Sequence, residues 1–440
     1  MKAVIIGGGV AGLAAAYRLL QRGHRAEVFE AGPDLGGLVR TFQVGGTRLE
    51  AFYHHLFKTD TRIIDLIHEL GLDDRLIWAD STIGYYTGGR IHNFTTSLDL
   101  ARFRPLPFAD RVRLGLAGLY LRRRADGRAY DALTVKEWWT RHAGRRAYEV
   151  VWEPLLRGKF GEAADEISMA WHWSKIRLRF ASRRGGPLQR EQLGYLLGSF
   201  SVYIQELARR LQDGGAAVHT GTPVREVLVC NGRAAGVLLE DGRRVEADAV
   251  IAAVPAGVFR KIAPAVPREY LDRLDAVSWQ WALCMVLALD RPFSHIYWLN
   301  VGDRTLPFLA LVEHTNFIDA SHYGGNHVLY ISNYLPPDHP YLSMGEEELW
   351  QLYLPALRRV NPAFSQAWVR DRWLFHGPYA QPVITRGYAD RVPPHRTPVP
   401  GLYLATMSQI YPEDRGQNYS IVIGERAADL ALADAGGRAP

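Results

Sequence analysis

The residues with the clearest chemistry stand at the start of the chain. Gly7-Gly8-Gly9-Val10-Ala11-Gly12 follow directly on the buried-strand pattern Met1–Ile6. A helical pattern over Leu13–Leu20 comes next and stops at Gly23, and a second strand, Arg25–Phe29, ends in Glu30. Strand, G-x-G-x-x-G, helix, strand and acid stand at the spacing a dinucleotide needs. Gly7 permits a tight turn, Gly9 lets backbone approach a pyrophosphate, and Gly12 lets the helix pack close to the strand. The helix start at Val10 and Ala11 supplies free N–H groups and positive potential for phosphates. Glu30 is placed to accept hydrogen bonds from a ribose 2′-hydroxyl, and its charge repels a 2′-phosphate.

Other chemistry-bearing residues are spread more widely. After Glu30 and Ala31, the loop Gly36-Gly37-Leu38-Val39-Arg40 offers bare backbone where a phosphate or ring can lie close. Leu49–Phe57 reads as a strand carrying His54 and His55, which on a strand face opposite sides. A histidine there serves either as an acid or base near neutral pH or as a buried structural residue. Arg157, Lys159, Lys175, Arg177 and Arg179 interleave with Trp152, Trp171 and Trp173. That tract reads either as a cleft for a carboxylate or diphosphate or as a solvated face with structural tryptophans; the solvated face is the favoured reading. Tyr411 and Tyr419 are candidate cleft walls or core residues. His322, His327 and His339 lack metal-ligand spacing. No nucleophile-elbow serine and no second G-x-G-x-x-G is visible.

The elements that must position these groups alternate in character. Helices are predicted over Thr61–Leu70, Leu98–Arg128, Ser201–Gln212, Glu346–Val360 and Tyr419–Ala433, with Asn418 as a cap for the last. Tyr85–His92 reads as a hairpin and Arg183–Pro187 as a loop. Thr222–Val227 opens a β-meander with turns at Asn231-Gly232 and Asp241-Gly242, which Ala247–Pro255 closes. Long strands are expected at Ala282–Leu289, Phe308–Glu313, His327–Asn333 and Trp368–Phe375, and a short buried one at Gly401–Thr406. The fold class is α/β: a Rossmann-like dinucleotide domain, discontinuous over 1–80, 200–275 and 395–440, plus an α+β substrate domain over 81–199 and 276–394 with one mixed sheet.

Composition sets outer bounds. The 440 residues, 48% hydrophobic and 22% charged, suit two soluble domains. Two cysteines, Cys230 and Cys284, in apolar contexts read as buried thiols. No targeting segment is read before the first strand, so a cytoplasmic protein is expected. The net charge of +6 is carried almost wholly by arginine. No nucleic-acid module is visible. Basic Leu98–Arg128 reads as a domain-packing helix or as a peripheral membrane contact. Oligomeric state is not encoded in any pattern found.

Together these motifs resemble the flavin-containing amine oxidase superfamily, which includes monoamine oxidases, protoporphyrinogen oxidases and phytoene desaturases, with UDP-galactopyranose mutase more distant. Gly7–Gly12 with Glu30 resembles its FAD fingerprint, and Gly36-Gly37 with Arg40-Thr41 its second glycine motif along the diphosphate and flavin. Thr222–Val227, including Val224, resembles the strand whose backbone meets the adenine, and Asp248–Pro255, including Ala253, the strand that returns to the nucleotide. Trp373–Tyr379 with Pro382, and Gly424-Glu425-Arg426-Ala427-Ala428, match its later signatures. Three departures stand out, one of them the unusually polar and acidic loop Ser408–Tyr419. Ala405-Thr406-Met407 replaces the usual Ala-Gly-Asp, leaving Asp414 or main chain to substitute. No lysine follows Lys261, which argues against an amine oxidase proper. The resemblance implies FAD, with Gln417, Asn418 and Tyr419 near the pyrimidine edge and His55, Tyr411 and Tyr419 around a small-molecule substrate, apolar or anionic. It implies an oxidoreductase removing hydride from an apolar or cyclic substrate and passing electrons to oxygen, a quinone or another acceptor. The alternatives are a non-redox flavoenzyme acting on a sugar nucleotide or lipid-linked sugar, and a flavin-binding protein without turnover.

Overall fold

A computed structural model describes residues 1–124, 126–182 and 190–436; the loop expected at Arg183–Pro187 lies outside the described residues. Five strands form a parallel sheet in the order Leu402–Leu404, Ala249–Ala252, Lys2–Ile6, Arg25–Phe29, Ala217–His219. Its central strand is apolar and buried from Ala3 to Ile6, because parallel strands are covered on both faces. Successive side chains go to opposite sides. Ala3 and Ile5 join a core with helices Val10–Gln21, Ser201–Asp213 and Gln417–Gly436. Val4 and Ile6 join another with the antiparallel meander Val224–Cys230, Arg233–Leu239, Arg244–Glu246.

A second, seven-stranded sheet runs Val369–Pro382, Trp279–Leu289, His327–Leu335, Ala310–Glu313, Trp298–Val301, Ile83–Thr87, Arg90–Asn93. It is mixed: Trp298–Val301 lies parallel to Ile83–Thr87 and the other pairs are antiparallel. Its longest inner strand also divides by alternation. Cys284, Val286 and Ala288 face the core that holds the helices of the parallel sheet, while Leu283, Met285 and Leu287 face helix Glu346–Val360. One apolar core therefore joins the two sheets. The helices Phe108–Arg122, Val135–Ala143, Glu153–Phe160 and Met169–Ala181 pack into the core of the meander. The fold is α/β, a parallel sheet with its meander plus a separate mixed sheet.

Four local expectations are corrected. The helix over Leu98–Arg128 is two helices, Ser97–Arg102 and Phe108–Arg122, because Pro105 and Pro107 lack N–H donors and restrict the residues before them. The strand over Leu49–Phe57 ends at Glu50, where its partner Thr41–Val44 runs out at the Thr41–Glu50 pair. His54 and His55 therefore sit in a loop. The closing helix starts at Gln417 rather than Tyr419. Cys230 is exposed at the end of a meander strand beside the Asn231-Gly232 turn, whereas Cys284 is buried. Among the described residues, no helix is long and apolar enough to cross a membrane.

Candidate functional site

Two glycine loops meet beyond the carboxyl end of the central parallel strand. Gly7 has a φ of 101°, and a Cβ there would stand 2.6 Å from the Ala253 carbonyl oxygen, so this crossing requires glycine. Gly9 precedes helix Val10–Gln21 without a side-chain cap, which leaves the first-turn amides of Val10, Ala11 and Gly12 without helical partners. The Gly36 N–H donates to the Gly8 carbonyl at 2.9 Å, and Gly9 pairs with Gly36 in a parallel bridge. Gly9 and Gly37 face each other with bare backbone. A Cβ on Gly9 would find nothing nearer than 4.0 Å, and one on Gly37 nothing nearer than 3.4 Å.

Glu30 folds its carboxylate back over this seam and accepts the N–H groups of Gly8 and Gly32 at 2.7 Å each. Each oxygen keeps a further lone pair. The Thr222 N–H donates to the Glu30 carbonyl at 2.8 Å and the Gly221 N–H to the Gly32 carbonyl at 2.7 Å. The segment leading to Val224 is thereby fastened to the Glu30–Ala31 loop. Gly37–Val39 make one tight turn, with Leu38 half-buried and Val39 buried. Arg40 donates to the His376 carbonyl at 2.5 Å and lies 5.6 Å above the Phe52 ring. Ala253 and half-buried Met407 follow adjacent parallel strands.

The closing helix presses on the glycine-loop helix at Gly424, where a Cβ would overlap the Ala11 carbonyl oxygen. Gln417 accepts a hydrogen bond from Tyr203 at 2.8 Å, and Asn418 Oδ1 accepts the Ile63 N–H at 3.1 Å. Asn418 therefore completes the first turn of helix Thr61–Glu69 and does not cap its own. The Gly416 carbonyl takes the first bond of the closing helix, from Ser420 at 2.9 Å.

The loop before that helix meets a group of cations. Asp414 accepts the Trp171 indole N–H at 2.8 Å and pairs with Lys175. Arg415 donates to the Tyr334 hydroxyl, and its guanidinium carbon lies 5.4 Å from that ring's centre. Lys159 Nζ stands 5.1 Å from the ring centres of both Trp171 and Tyr334. Burial holds Lys159 well below the usual lysine range and lowers Lys175. Asp414 stays ionised: the charges of Lys175, Lys159 and Arg415 outweigh its burial. Lys175 keeps a third of its side-chain surface open, although the atoms around it lower its basicity. These two lysines therefore stand against aromatic rings and Asp414 while part of their surface stays open. Arg157 pairs with Glu153 and Asp165, Arg179 with Glu191, and Arg177 stacks on Trp173.

His55 lies beside this group, its Nδ1 3.0 Å from the Tyr297 hydroxyl. Burial first, then the charges of Arg179 and Lys175, lower it to about 3; burial lowers His54 to about 4. Both are neutral at pH 7. Tyr411 is held apart by hydrogen bonds to Asp131 and to Ser168, the latter at 3.3 Å, and only its ring remains to face a cleft. Tyr419 is half-buried in the first turn of the closing helix. The lysines that reach this loop come from residues 159 and 175, so the absence of lysine beyond 261 does not decide which cations line the site. Lys159, Lys175 and Arg415 were not legible as one group, because they belong to three separate elements. Among the described residues, no group of three or more His, Cys, Asp or Glu could hold a metal.

Residues 10–432 match a family model described as flavin containing amine oxidoreductase. The 15-cis-phytoene desaturase of Glycine max is 23% identical over 82% of this chain and 66% of its own length. That of Solanum lycopersicum is 22% identical over 92% and 73%. The chain thus spans about two thirds to three quarters of these relatives. A solved structure from Exiguobacterium sp. 255-15, provisionally named protoporphyrinogen oxidase, superposes with a TM-score of 0.77, 21% identity and 98% and 99% coverage. Reduced UDP-galactopyranose mutase superposes with 0.74, 17% identity and 98% and 95% coverage. At these identities the solved structures show a shared fold.

Proposed function

The chain belongs to the flavin containing amine oxidoreductase family, and from that premise we propose that it takes hydride from an apolar or cyclic substrate held in a cleft between its two sheets. It is a flavin oxidoreductase with FAD as its cofactor. The residues present fit that group: Gly9 and Gly37 leave a bare-backbone cradle beside unpartnered helix amides. In the proposed arrangement, Gly7, Gly9, Val10, Ala11 and Gly12 hold the diphosphate and Glu30 the ribose. Gly36 to Arg40, Ala31, Ala253 and Met407 line the groove, and Val224 meets the adenine. The start of the closing helix, Gln417 to Tyr419, faces the pyrimidine edge.

FAD supplies hydride acceptance; the protein supplies position and field. The first-turn amides of the closing helix favour negative charge beside them. Trp171, Tyr334 and Tyr419 wall the space around Asp414 and exclude water. His55, neutral and joined to Tyr297, orients a substrate polar group and carries no charge of its own. The division into two domains with the boundaries given above is part of the same reading.

The observation that carries the proposal is the glycine cradle packed against the closing helix, with Trp171 and Tyr334 gathered at the loop just ahead of that helix. Anaerobic addition of porphyrinogens and long polyenes to the FAD-loaded protein should bleach the flavin band with at least one class. The buried cations favour a second reading, a sugar-nucleotide isomerase. In that case UDP-galactopyranose would be consumed by the prereduced protein with no net change in flavin colour.

A membrane surface is the proposed further partner. Of the large apolar side chains exposed among the described residues, all but Val422 lie between Leu98 and Leu133. Phe108, Val112, Leu116, Leu119 and Tyr120 share one side of their helix at about 100° per residue. Exposed Arg113, Arg122, Arg123 and Arg124 flank them. An apolar stripe edged with arginine fits an anionic lipid surface.

A further inference from the structure

The cations around Asp414 are more numerous than the charge they meet. Lys159, Lys175 and Arg415 surround one carboxylate, whose oxygens accept the Trp171 indole N–H and Lys175. Arg179 is matched by Glu191. Lys159 makes no ion pair among the described residues, and its ammonium rests between the faces of Trp171 and Tyr334. Arg415 gives one N–H to the Tyr334 hydroxyl, while its Nε is buried with no hydrogen-bond partner. Surplus charge on half-buried groups with open donors is unfavourable unless an anion or water completes it or the group gives up its proton. Closely placed aromatic faces offset part of that cost through cation–π attraction, but they accept no hydrogen bond.

The place of this surplus is specific. Lys159 is in helix Glu153–Phe160, Lys175 in helix Met169–Ala181, Tyr334 in the mixed sheet, and Arg415 two residues ahead of the closing helix. Donors therefore converge from three layers beside the helix end assigned to the flavin. The positive end of that helix adds to the same field. The rings against these cations are Trp171 and Tyr334, and Tyr53 lies near Tyr334 and Arg415.

Resting on the cleft reading above, we infer that the substrate carries an anionic group, a carboxylate or phosphate, that docks on Lys159, Lys175 and Arg415 while its apolar body lies against the aromatic walls. The substrate is then an amphiphile with one charged end. The charged end sets which part of the body lies over the reacting ring.

The test uses the FAD-loaded protein with three ring probes: benzoate, phenyl phosphate and neutral benzamide. Binding is read twice, by the flavin difference spectrum and by tryptophan fluorescence. Benzoate, phenyl phosphate or both should bind more tightly than benzamide, and the better of the two identifies the anion. Lys159→Met should weaken that anion by about 10- to 100-fold, the loss of one charged hydrogen bond. Benzamide binding should stay unchanged. Lys159→Arg should restore the preference. Lys159→Met should also keep or raise the Tm, because it removes an ammonium that its surroundings already disfavour; a purely structural lysine would lower it. Equal affinity for all three probes, or an unchanged anion affinity in Lys159→Met, would overturn the inference while leaving substrate bleaching of the flavin intact. Tryptophan quenching with no flavin difference spectrum would overturn it too, by placing the anion site away from the reacting end.

Discussion

Glu30 shows how far a single residue can be read from sequence. Its position after the second strand follows from spacing alone, since the strand, loop and acid are contiguous. Its two backbone partners do not, because they depend on how the Gly8 and Gly32 amides turn. Those bonds sharpen the expected effect of Glu30→Gln. Glutamine presents one acceptor oxygen where glutamate presents two, so either a loop amide or the ribose loses its partner. FAD affinity should fall by about 1–3 kcal/mol, the range for a lost charge-assisted hydrogen bond. Flavin-release titration checks this, and unchanged affinity would remove Glu30 from the ribose. The cationic residues were less legible, because Lys159, Lys175 and Arg415 are far apart in the chain and only tertiary packing turns them to one point.

Elements with their own punctuation were legible almost to the residue. The helix expected over Ser201–Gln212 runs Ser201–Asp213 and stops at Gly214. Glu346–Val360 likewise keeps its expected span. The strand over Leu49–Phe57 misled because its apolar residues continue past the end of its partner, and strand length is set by pairing rather than by one segment's pattern. The closing helix gives two predictions. Gly424→Ala should force it off the Ala11 carbonyl and lower stability by about 1–3 kcal/mol, with loss of bound FAD; a normal Tm with full flavin content would contradict the close approach. Sulfite should bind the flavin of the wild-type protein, since backbone amides supply the favourable field. Asn418→Leu should leave that affinity within a few-fold while lowering stability by about 1–3 kcal/mol through the orphaned Ile63 amide. A large loss of sulfite affinity would assign the field to the side chain instead. On helix Phe108–Arg122, Leu116→Glu should reduce co-sedimentation with vesicles containing anionic phosphatidylglycerol and leave Tm unchanged. Equal sedimentation of variant and wild type would remove the membrane from the proposal.

The whole molecule is set by its buried titratable groups, which none of the motifs reveals. Burial lowers His54 and His395 to about 4 and His55, His172 and His314 to about 3. Each stays neutral in the fold but takes a proton in the unfolded chain below about 6.5. Their contribution is therefore lost as pH falls from 6.5 towards 4. Three buried acids act oppositely. Burial raises Glu50 and Glu313 to about 7 and Asp60 to about 6, so the fold keeps protons that the unfolded chain has released above about 4. Their contribution is lost as pH rises through that window. Between roughly pH 4.5 and 6, five protons bound by unfolding outweigh three released. Two protons remain, a slope of about 2–3 kcal/mol per pH unit in favour of the fold as pH rises. Between about pH 6 and 7 the unfolded chain's histidines and the fold's raised acids release their protons together, so the slope falls towards zero, and Lys159, held well below the usual lysine range, keeps the fold from losing stability there. Ion-paired acids such as Asp414 and Glu206 are held low and titrate below this window. Urea unfolding at fixed FAD should therefore show a steep acid limb below about pH 6 that levels off near pH 7. Glu50→Gln should steepen that limb, because two released protons then oppose five bound. An acid limb missing down to pH 4.5 would mean that these histidines are open to water in the folded protein.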